Sequence, residues 1–145
     1  MRHKDLGLWQ SWSWAEIAEA MRAYAAGLAL LGVKPGEAVA IVGGNRPRLY
    51  WTFLAAQALG AIPVPVYADS IADELAYVLD DAGCAVAVAE DQEQVDKILS
   101  ISERLPRLRH LLYDEPRGLL DYDHAQMGSI TEAIEAGRRK LASDT

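Results

Sequence analysis

The sequence predicts an α/β fold, in which a mostly parallel, short-stranded sheet is flanked by helices. Two observations lead to this prediction. Apolar runs of strand length alternate along the chain with longer segments whose apolar residues recur at helical spacing. Successive strands are also separated by enough residues for the helical crossover that parallel strands require. The predicted order is helix, strand, helix, strand, helix, strand, helix, strand, helix, with right-handed crossovers.

A capping box predicts where the first helix begins. Ser13 is followed three residues later by Glu16, so that the hydroxyl and the carboxylate can each satisfy an otherwise unpaired backbone N–H. Apolar residues then recur at helical spacing until Gly32, which allows a left-handed stop. These residues are Ile17, Met21, Tyr24, Leu28 and Leu31. A turn at residues 34–37 leads into a buried strand at residues 38–42.

Prolines define the next two elements. Pro47 suits the first position of a second helix, because its fixed φ fits there and its missing N–H costs nothing. This helix should end near Leu59. The strand at residues 61–66 contains Pro63 and Pro65, which are two residues apart and therefore direct their backbone groups to the same neighbour. Since neither offers an N–H, one side of this strand cannot carry a normal ladder, and we expect an edge strand or a strand end.

Polar caps and breakers mark the third and fourth helices. Ser70, followed by acidic residues, starts the third helix, which stops at Gly83. A buried strand at residues 84–89 comes next. Asp91 is the expected N-cap of the fourth helix, and Pro106 terminates that helix.

The last part of the chain completes a single predicted domain, residues 1–145. A strand is expected at residues 110–113, followed by an irregular stretch to Gly128. A second capping box, Ser129 with Glu132, opens the final helix. The sequence contains no internal repeat, no low-complexity tract and no linker rich in Pro, Gly or Ser, so we assign one domain.

The composition excludes several classes of protein. The chain has 145 residues, of which 51% are hydrophobic and 24% charged, which is typical of a globular domain. Its formal net charge is -7, and the acids are concentrated between Ala61 and Glu103, where Lys97 is the only basic side chain. Such a stretch repels nucleic acid and anionic lipid, and solvated helix faces account for it without a specific docking role.

Cysteine, histidine and hydropathy patterns narrow the choice further. Cys84 is the only cysteine, so no internal disulfide can form, and its apolar surroundings predict a small core residue. Three histidines without ligand spacing argue against a structural zinc. No apolar run approaches the roughly 20 residues needed to cross a bilayer, and the basic start lacks a signal-type apolar segment. We therefore expect a cytoplasmic protein.

The second predicted helix suggests that the domain is incomplete. Between Leu49 and Leu59 nearly every side chain is apolar, so the helix needs cover on more than one side. Three or four short strands with five helices would leave an apolar patch for the rest of a larger protein. The alternative is a central helix that its own neighbours cover. If the patch is exposed, the isolated chain should bind a hydrophobic dye or self-associate.

Several segments, taken in their order and spacing, resemble the N-terminal part of bacterial long-chain acyl-CoA synthetases, which belong to the AMP-forming adenylating family. None is diagnostic alone, but together they cover most of the chain from Arg2 to about Asp123. They are residues 2–9, 12–14, 32–41, 45–47, 60–67 and 89–97. The resemblance implies that the predicted sheet is part of the larger N-terminal domain of an adenylate-forming enzyme.

The resemblance also implies a reaction. In that family a fatty acid attacks the α-phosphate of Mg-ATP, and the thiol of CoA then displaces AMP from the acyl-adenylate. Both steps develop charge that needs fixed donors and a metal. The family supplies these from a Ser/Thr/Gly-rich phosphate loop with a lysine, and from later motifs. The seven serines and three threonines of this chain never stand next to one another, so no stretch resembles that loop.

The expected site residues follow from that absence. We expect no catalytic, cofactor-binding or metal-binding residue in this chain, which alone should be inactive, whereas the full-length family uses ATP, Mg and CoA. The expected partners are the remainder of the enzyme and a second copy in a homo-oligomer, with no nucleic acid and no transmembrane segment. The full-length form would be cytoplasmic or peripheral to a membrane.

Three polar features could be taken for sites. Residues 43–45, Gly-Gly-Asn, lie between a strand and a helix where amides could hold a phosphate, but Asn45 and Arg48 stand where a dinucleotide fingerprint needs glycines. We favour an ordinary turn there, with Arg46 and Arg48 facing solvent or absent domains. An acidic cluster suggests a Mg site, but an N-cap at Asp91 and an i,i+4 pair between acid and lysine explain it. The cluster consists of Glu90, Asp91, Glu93 and Asp96, and the lysine that Glu93 would pair with is Lys97.

Aromatic and histidine residues are the remaining candidates. We interpret the four tryptophans as packing anchors and not as an acyl-binding surface. They are Trp9, Trp12, Trp14 and Trp51. Asp80 with His124, or Glu90 with His110, could form acid/base pairs, but structural histidines are expected.

Two hypotheses remain open from the sequence. The chain is either a structural, non-catalytic part of an ATP-dependent long-chain fatty-acid:CoA ligase, or a stand-alone binding module with the same fold that docks a partner on its apolar helix.

Overall fold

The computed structural model describes residues 1–5, 8–119, 121–122 and 126–143. Its helices are α1 (Trp14–Leu30), α2 (Pro47–Ala58), α3 (Ala72–Ala82), α4 (Gln92–Ser100) and α5 (Ile130–Ser143). Its strands are β1 (Arg2–Asp5), β2 (Leu8–Ser11), β3 (Ala38–Val42), β4 (Ile62–Val66), β5 (Cys84–Ala89), β6 (His110–Tyr113) and β7 (Met127–Ser129). A short 3-10 helix spans Ser102–Arg104. None of the helices in these ranges is long and apolar enough to cross a membrane.

A five-stranded parallel sheet forms the centre of the molecule and confirms the predicted α/β class. The strand order is β4-β3-β5-β6-β7, and each neighbouring pair is parallel. Two features were missed by the sequence prediction. The strands β1 and β2 form a separate antiparallel pair ahead of the first helix. The strand β7 lies in the stretch predicted to be irregular, since three residues are too few to show a period of two.

Alternate residues of the central strands face two different helical layers. Val39, Ile41 and Val88 pack on the side of α1, α2 and α5. Ala40 and Ala87 pack on the side of α3 and α4. Both β3 and β5 are buried along their whole length, as expected for a parallel sheet covered on both faces.

The strand β4 occupies one edge of the sheet, which confirms the prediction from its prolines. The Ile62 N–H donates to the carbonyl of Glu37 at 2.8 Å, so Ile62 and the residues two and four positions later direct their backbone groups to β3. Pro63 and Pro65 therefore face outward, where a missing N–H leaves nothing unpaired. The outer edge of β4 offers no N–H at either position.

The predicted caps are partly correct. Ser13 and Glu16 form the complete capping box, with distances of 3.1 and 2.7 Å. Asp91 caps α4 through the N–H of Gln94 at 3.3 Å. Ser129 accepts from the N–H of Glu132 at 2.9 Å, but the glutamate contacts the serine hydroxyl and not its N–H, so only half of the second box forms.

Two predicted helix boundaries are wrong. Ser70 does not cap α3, because its N–H closes a turn onto Tyr67, and Ile71 takes the N-cap position without a side-chain hydrogen bond. The fourth helix ends at Ser100 and not at Pro106. The chain reaches that proline through the tighter 3-10 turn, since the residue before a proline disfavours the α conformation.

Small residues bring α1 and α5 into backbone contact. A Cβ atom added to Gly137 would lie 1.7 Å from the carbonyl oxygen of Ala23, and one added to Gly27 would lie 2.0 Å from that of Ala133. Each helix thus presents an alanine and a glycine four residues apart on the same face. Glycine is required at both positions for this approach.

The helix α2 is covered on one side only. Trp51 and Thr52 are buried against α1 and the sheet, where the Tyr24 hydroxyl lies 2.7 Å from Thr52 Oγ1. Since Thr52 donates its own proton to the carbonyl of Arg48 at 2.8 Å, Tyr24 must be the donor in this pair. On the opposite side of the helix Tyr50 and Leu54 are exposed.

Candidate functional site

The carboxyl ends of the parallel strands bring the polar candidates together. After β3 the chain passes to α2 on one face of the sheet, and after β5 it passes to α4 on the other. Where neighbouring strands send their connections to opposite faces, a crevice opens at the sheet edge, and this is the usual ligand position in open α/β sheets. Gly43, Gly44 and Arg46 line one side of this crevice, and Glu90 lies on the other side.

The crevice is closed by a carboxylate of the chain itself. The Gly44 N–H donates to Glu90 Oε2 at 2.9 Å, and Arg46 Nε donates to Glu90 Oε1 at 2.7 Å. A Cβ atom at Gly43 would lie 2.6 Å from the Cβ of Glu90, so only glycine allows this approach. The amide that a phosphate would need is therefore engaged, which supports the interpretation of residues 43–45 as an ordinary turn.

Both arginines of this edge are paired within the chain, so the expectation that they face solvent is wrong, while their contact with absent domains stays a prediction. Burial lowers the pKa of Arg46, but its hydrogen bond to Glu90 and the nearby carboxylates outweigh burial and raise that pKa. Arg48 donates to Asp114 Oδ1 at 2.8 Å and to Thr131 Oγ1 at 2.6 Å. Each arginine side chain is less than one-third exposed. Arg48 thereby connects the start of α2 with the end of β6 and the start of α5.

The acidic cluster has structural partners. Glu90 closes the crevice and Asp91 caps α4, while Asp96 accepts from the Tyr122 hydroxyl at 2.5 Å. Within the described ranges no group of three or more His, Cys, Asp or Glu side chains is placed to hold a metal. The predicted pair between Glu93 and Lys97 is wrong.

Lys97 makes a different set of contacts. Its ammonium group donates to the backbone carbonyls of Ala68 and Ser70, at 2.8 and 2.7 Å. It thus fixes the connection between β4 and α3. One ammonium group has three donors, so Lys97 can bond to both carbonyls at once.

The proposed acid/base pairs are not assembled among the described residues. His110 lies opposite Val86 in the ladder, four residues before Glu90, which corresponds to about 13 Å along the strand. Glu90 and His110 therefore sit at opposite ends of the sheet. The pair of Asp80 with His124 lies outside the described residues, since His124 is not among them.

The tryptophans divide into two buried or half-buried anchors and two exposed residues. Trp12 and Trp51 pack edge to face, with ring centroids 5.4 Å apart and an interplanar angle of 84°. Trp9 and Trp14 are 62% and 80% exposed, so for these two the interpretation as packing anchors is wrong. The guanidinium of Arg2 lies 5.1 Å from the centroid of the Trp9 ring.

A cleft of about 960 Å³ lies between the β1–β2 pair, α1, α2 and α5. Its lining includes His3 and three arginines, and the arginines are internally paired: Arg46, Arg48 and Arg138. The Trp51 indole N–H is buried without a hydrogen-bond partner, but no solvent reaches this atom. The Trp12 ring packs edge to face against the Trp51 ring. The three arginines of this cleft are therefore already paired within the described part of the chain, and the Trp51 indole donor is not accessible from it.

Sequence reasoning missed the internal ion pairs of this edge. Arg46 and Arg48 follow β3, and their partners Glu90 and Asp114 follow β5 and β6. The signal was available, because polar residues just after parallel strands meet at one edge of the sheet. Cys84 is buried as predicted, and burial raises the pKa of its thiol to about 11.

Fold and site together define a doubly wound parallel α/β domain whose carboxyl-edge crevice is closed by its own ion pairs. The model of the AMP-binding enzyme family matches residues 3–136. The chain therefore belongs to the AMP-binding enzyme family.

Curated relatives agree with this membership, and a solved structure shares the fold. The long-chain-fatty-acid–CoA ligase FadD15 of Mycobacterium tuberculosis is 36% identical over 108 residues, which are 73% of this chain and 18% of that protein. The uncharacterized protein Rv1549 of the same organism is 39% identical over 89 residues, which are 61% of this chain and 50% of that protein. The solved acetoacetyl-CoA synthetase of Streptomyces lividans shares the fold, with a TM-score of 0.75 at 22% identity over 88% of this chain and 21% of that one. The matched segment thus spans less than a fifth of the length of FadD15.

Proposed function

We propose that this chain is the N-terminal portion of an ATP-dependent long-chain fatty-acid–CoA ligase and that it is not catalytic alone. The observation that carries the proposal is the family match over residues 3–136, together with relatives named as long-chain-fatty-acid–CoA ligases. The reaction of such an enzyme converts a fatty acid, ATP and CoA to acyl-CoA, AMP and pyrophosphate. In this proposal residues 1–145 form one incomplete subdomain of the adenylating domain.

The described residues do not fit the phosphates of ATP. Adenylation develops negative charge that needs free amides, cations and a metal ion. At the carboxyl edge the Gly44 amide is engaged by Glu90, and Arg46 and Arg48 already neutralise carboxylates of the same chain. We therefore assign no catalytic step to these residues, and ATP, Mg and CoA would be held by other parts of the ligase.

The contribution of the chain is a scaffold. Arg46 and Glu90 fix the ends of β3 and β5 against each other, and Arg48 fixes α2 to β6 and α5. Such contacts keep the carboxyl edge of the sheet in one shape, on which the remaining ligase can be assembled. We place the enzyme in the cytoplasm, with its full-length form either there or peripheral to a membrane.

An exchange assay tests the proposal. The purified chain is incubated with palmitate, Mg-ATP and labelled pyrophosphate, beside full-length FadD15 as the positive control. We expect label in ATP with FadD15 and none with the chain. Exchange that follows the chain through successive purification steps would show that it holds a catalytic site.

The alternative function is a stand-alone binding module, and one observation favours it. The 89 residues that match Rv1549 make up half of that protein, so short members of this family occur. The coding sequence downstream of Thr145 discriminates between the two. An in-frame continuation with a phosphate loop favours the ligase, whereas a stop codon and a monomeric product favour the module.

A further inference from the structure

Two donors at the carboxyl edge of the sheet hold the Glu90 carboxylate between them. The Gly44 N–H donates to Oε2 at 2.9 Å and Arg46 Nε donates to Oε1 at 2.7 Å, so each carboxylate oxygen has its own donor. These two donors are here named the anion cradle. Both belong to residues 44–46, whereas Glu90 follows β5. One short segment therefore forms the cradle, and Glu90 enters it from the other side of the crevice.

The cradle has the chemistry of an oxyanion site. A backbone N–H and a guanidinium directed at two oxygens of one group are donors that bind carboxylate and phosphate in proteins. The start of α2 adds to this preference, because no side chain caps that helix and its first turn contains no acidic residue. The Arg46 and Glu90 side chains are only 30% and 15% exposed, so the low local dielectric strengthens the hold on an anion.

Both donors border cavities of the molecule. Gly44 lines a groove of about 530 Å³ beside α2 and β4, and Arg46 lines the cleft of about 960 Å³ between α1, α2 and α5. A small oxyanion that takes the place of the carboxylate therefore has a path to the cradle. Asp114 and Asp91 lie close enough to act on the Arg46 charge, and they oppose a second anion. The affinity of the emptied cradle should therefore be millimolar and not higher.

We infer that Arg46 and the Gly44 amide form an oxyanion site and that Glu90 is its built-in occupant, which keeps carboxylate and phosphate ligands out of the crevice. A carboxylate on the same chain is always available, whereas a free anion must displace it. With Glu90 outside the cradle in about 1% of molecules, the apparent Kd of a free anion rises about a hundredfold. This role does not depend on the ligase assignment, so either can fail without the other.

Amide NMR of the isotope-labelled full chain tests this role. Inorganic phosphate is titrated up to about 50 mM at constant ionic strength, because added salt alone screens the ion pairs. Glu90→Ala empties the cradle, and Glu90→Gln removes the charge but keeps the length of the side chain. Neither change touches a residue of the two core clusters, so both variants should give the dispersed spectrum of a folded chain.

Two controls separate the cradle from a general effect of charge. Glu93→Ala is the matched control, since it removes one exposed acid near the start of α4 and leaves the cradle intact. Adding Arg46→Gln to Glu90→Ala removes one of the two donors and should abolish binding.

The expected result is a saturable shift of the Gly44 amide at millimolar phosphate in both Glu90 variants, with no saturation in wild type or in Glu93→Ala. No saturation in either Glu90 variant would overturn the oxyanion site. Saturation in wild type at the same phosphate concentrations would show that Glu90 does not exclude anions. Saturation that survives Arg46→Gln would place the phosphate elsewhere and would overturn the role of the cradle.

Discussion

The contact between α1 and α5 gives a prediction whose sign distinguishes packing from helix propensity. Changing Gly137 to alanine in an isolated helix stabilises that helix by about 1 kcal/mol. In this fold the new methyl group would lie 1.7 Å from the carbonyl oxygen of Ala23. An ordinary contact between these atoms is at least 3.4 Å, and a backbone carbonyl inside a helix cannot move away alone.

The magnitude follows from this distance. The helices must separate by roughly 1.5 Å, which opens the packed layer that contains Tyr24 and Ile130. Overpacking of this kind costs about 3 kcal/mol at the upper end of its usual range. After subtraction of the helix-propensity gain we expect a net loss of about 2 kcal/mol, which lowers the melting temperature by roughly 6 °C for a chain of this size. Gly27→Ala should lower the free energy of unfolding by a similar amount.

Urea unfolding followed by circular dichroism measures this loss. Gly128→Ala is the matched control, because its Cβ would make ordinary contacts, at 3.7 Å or longer. Its effect should stay within about 0.5 kcal/mol. A stabilised or unchanged Gly137→Ala variant would refute the close approach of α1 and α5, and with it the arrangement of that helical layer.

Four further predictions concern buried groups and the sheet edge. Thr52→Val leaves the Tyr24 hydroxyl buried without its acceptor and should lower the free energy of unfolding by about 2 kcal/mol. Tyr24→Phe should cost less, because Thr52 stays bonded to the carbonyl of Arg48. Urea unfolding of both variants checks this order, and the reverse order would contradict the assignment of Tyr24 as the donor. Burial raises the pKa of Tyr24 above its ordinary value of 10.0. The contribution of the neutral Tyr24 side chain to stability is therefore complete below pH 10 and is lost as the pH rises further. The urea midpoint should fall above pH 10 in wild type and fall less in Tyr24→Phe. The Cys84 thiol, with its pKa raised to about 11, should react with Ellman's reagent at pH 8 at least a hundredfold more slowly in the folded chain than in 8 M urea, and equal rates would contradict its burial. Replacing Pro63 and Pro65 together by valine restores two outward N–H donors, so light scattering should show faster aggregation than in wild type, and an unchanged rate would contradict the outward direction of these residues.

Local signals in the sequence were sufficient for most of the fold. The capping box at Ser13 and the pair of prolines in β4 each depend on a few neighbouring residues, and both predictions are confirmed. Buried parallel strands such as β5 are equally clear, because both of their faces are apolar. Boundaries that depend on distant contacts were missed. Ser70 fails as a cap because its backbone is held in a turn and by Lys97 from α4.

The candidate site was less accessible from the sequence. Arg46 and Glu90 are 44 residues apart, and Arg48 and Asp114 are 66 residues apart, so their pairing depends on the order of the strands. The sequence indicated that a crossover fold was present but not which strand lies beside which. The exposed outer side of α2 is a partial exception, since the apolar character of that helix already indicated a need for cover.

If the chain is the proposed part of a ligase, it cannot hold an adenylate by itself, because the Gly44 amide and both arginines at the sheet edge are already engaged. The most direct measurement is an amide NMR spectrum of the chain titrated with a non-hydrolysable acyl-adenylate analogue and Mg. We predict no saturable shift at Gly44 or at the Arg46 and Arg48 side chains up to millimolar analogue. Saturable shifts at these groups would show that the crevice opens and binds the nucleotide, and would contradict the proposed non-catalytic role.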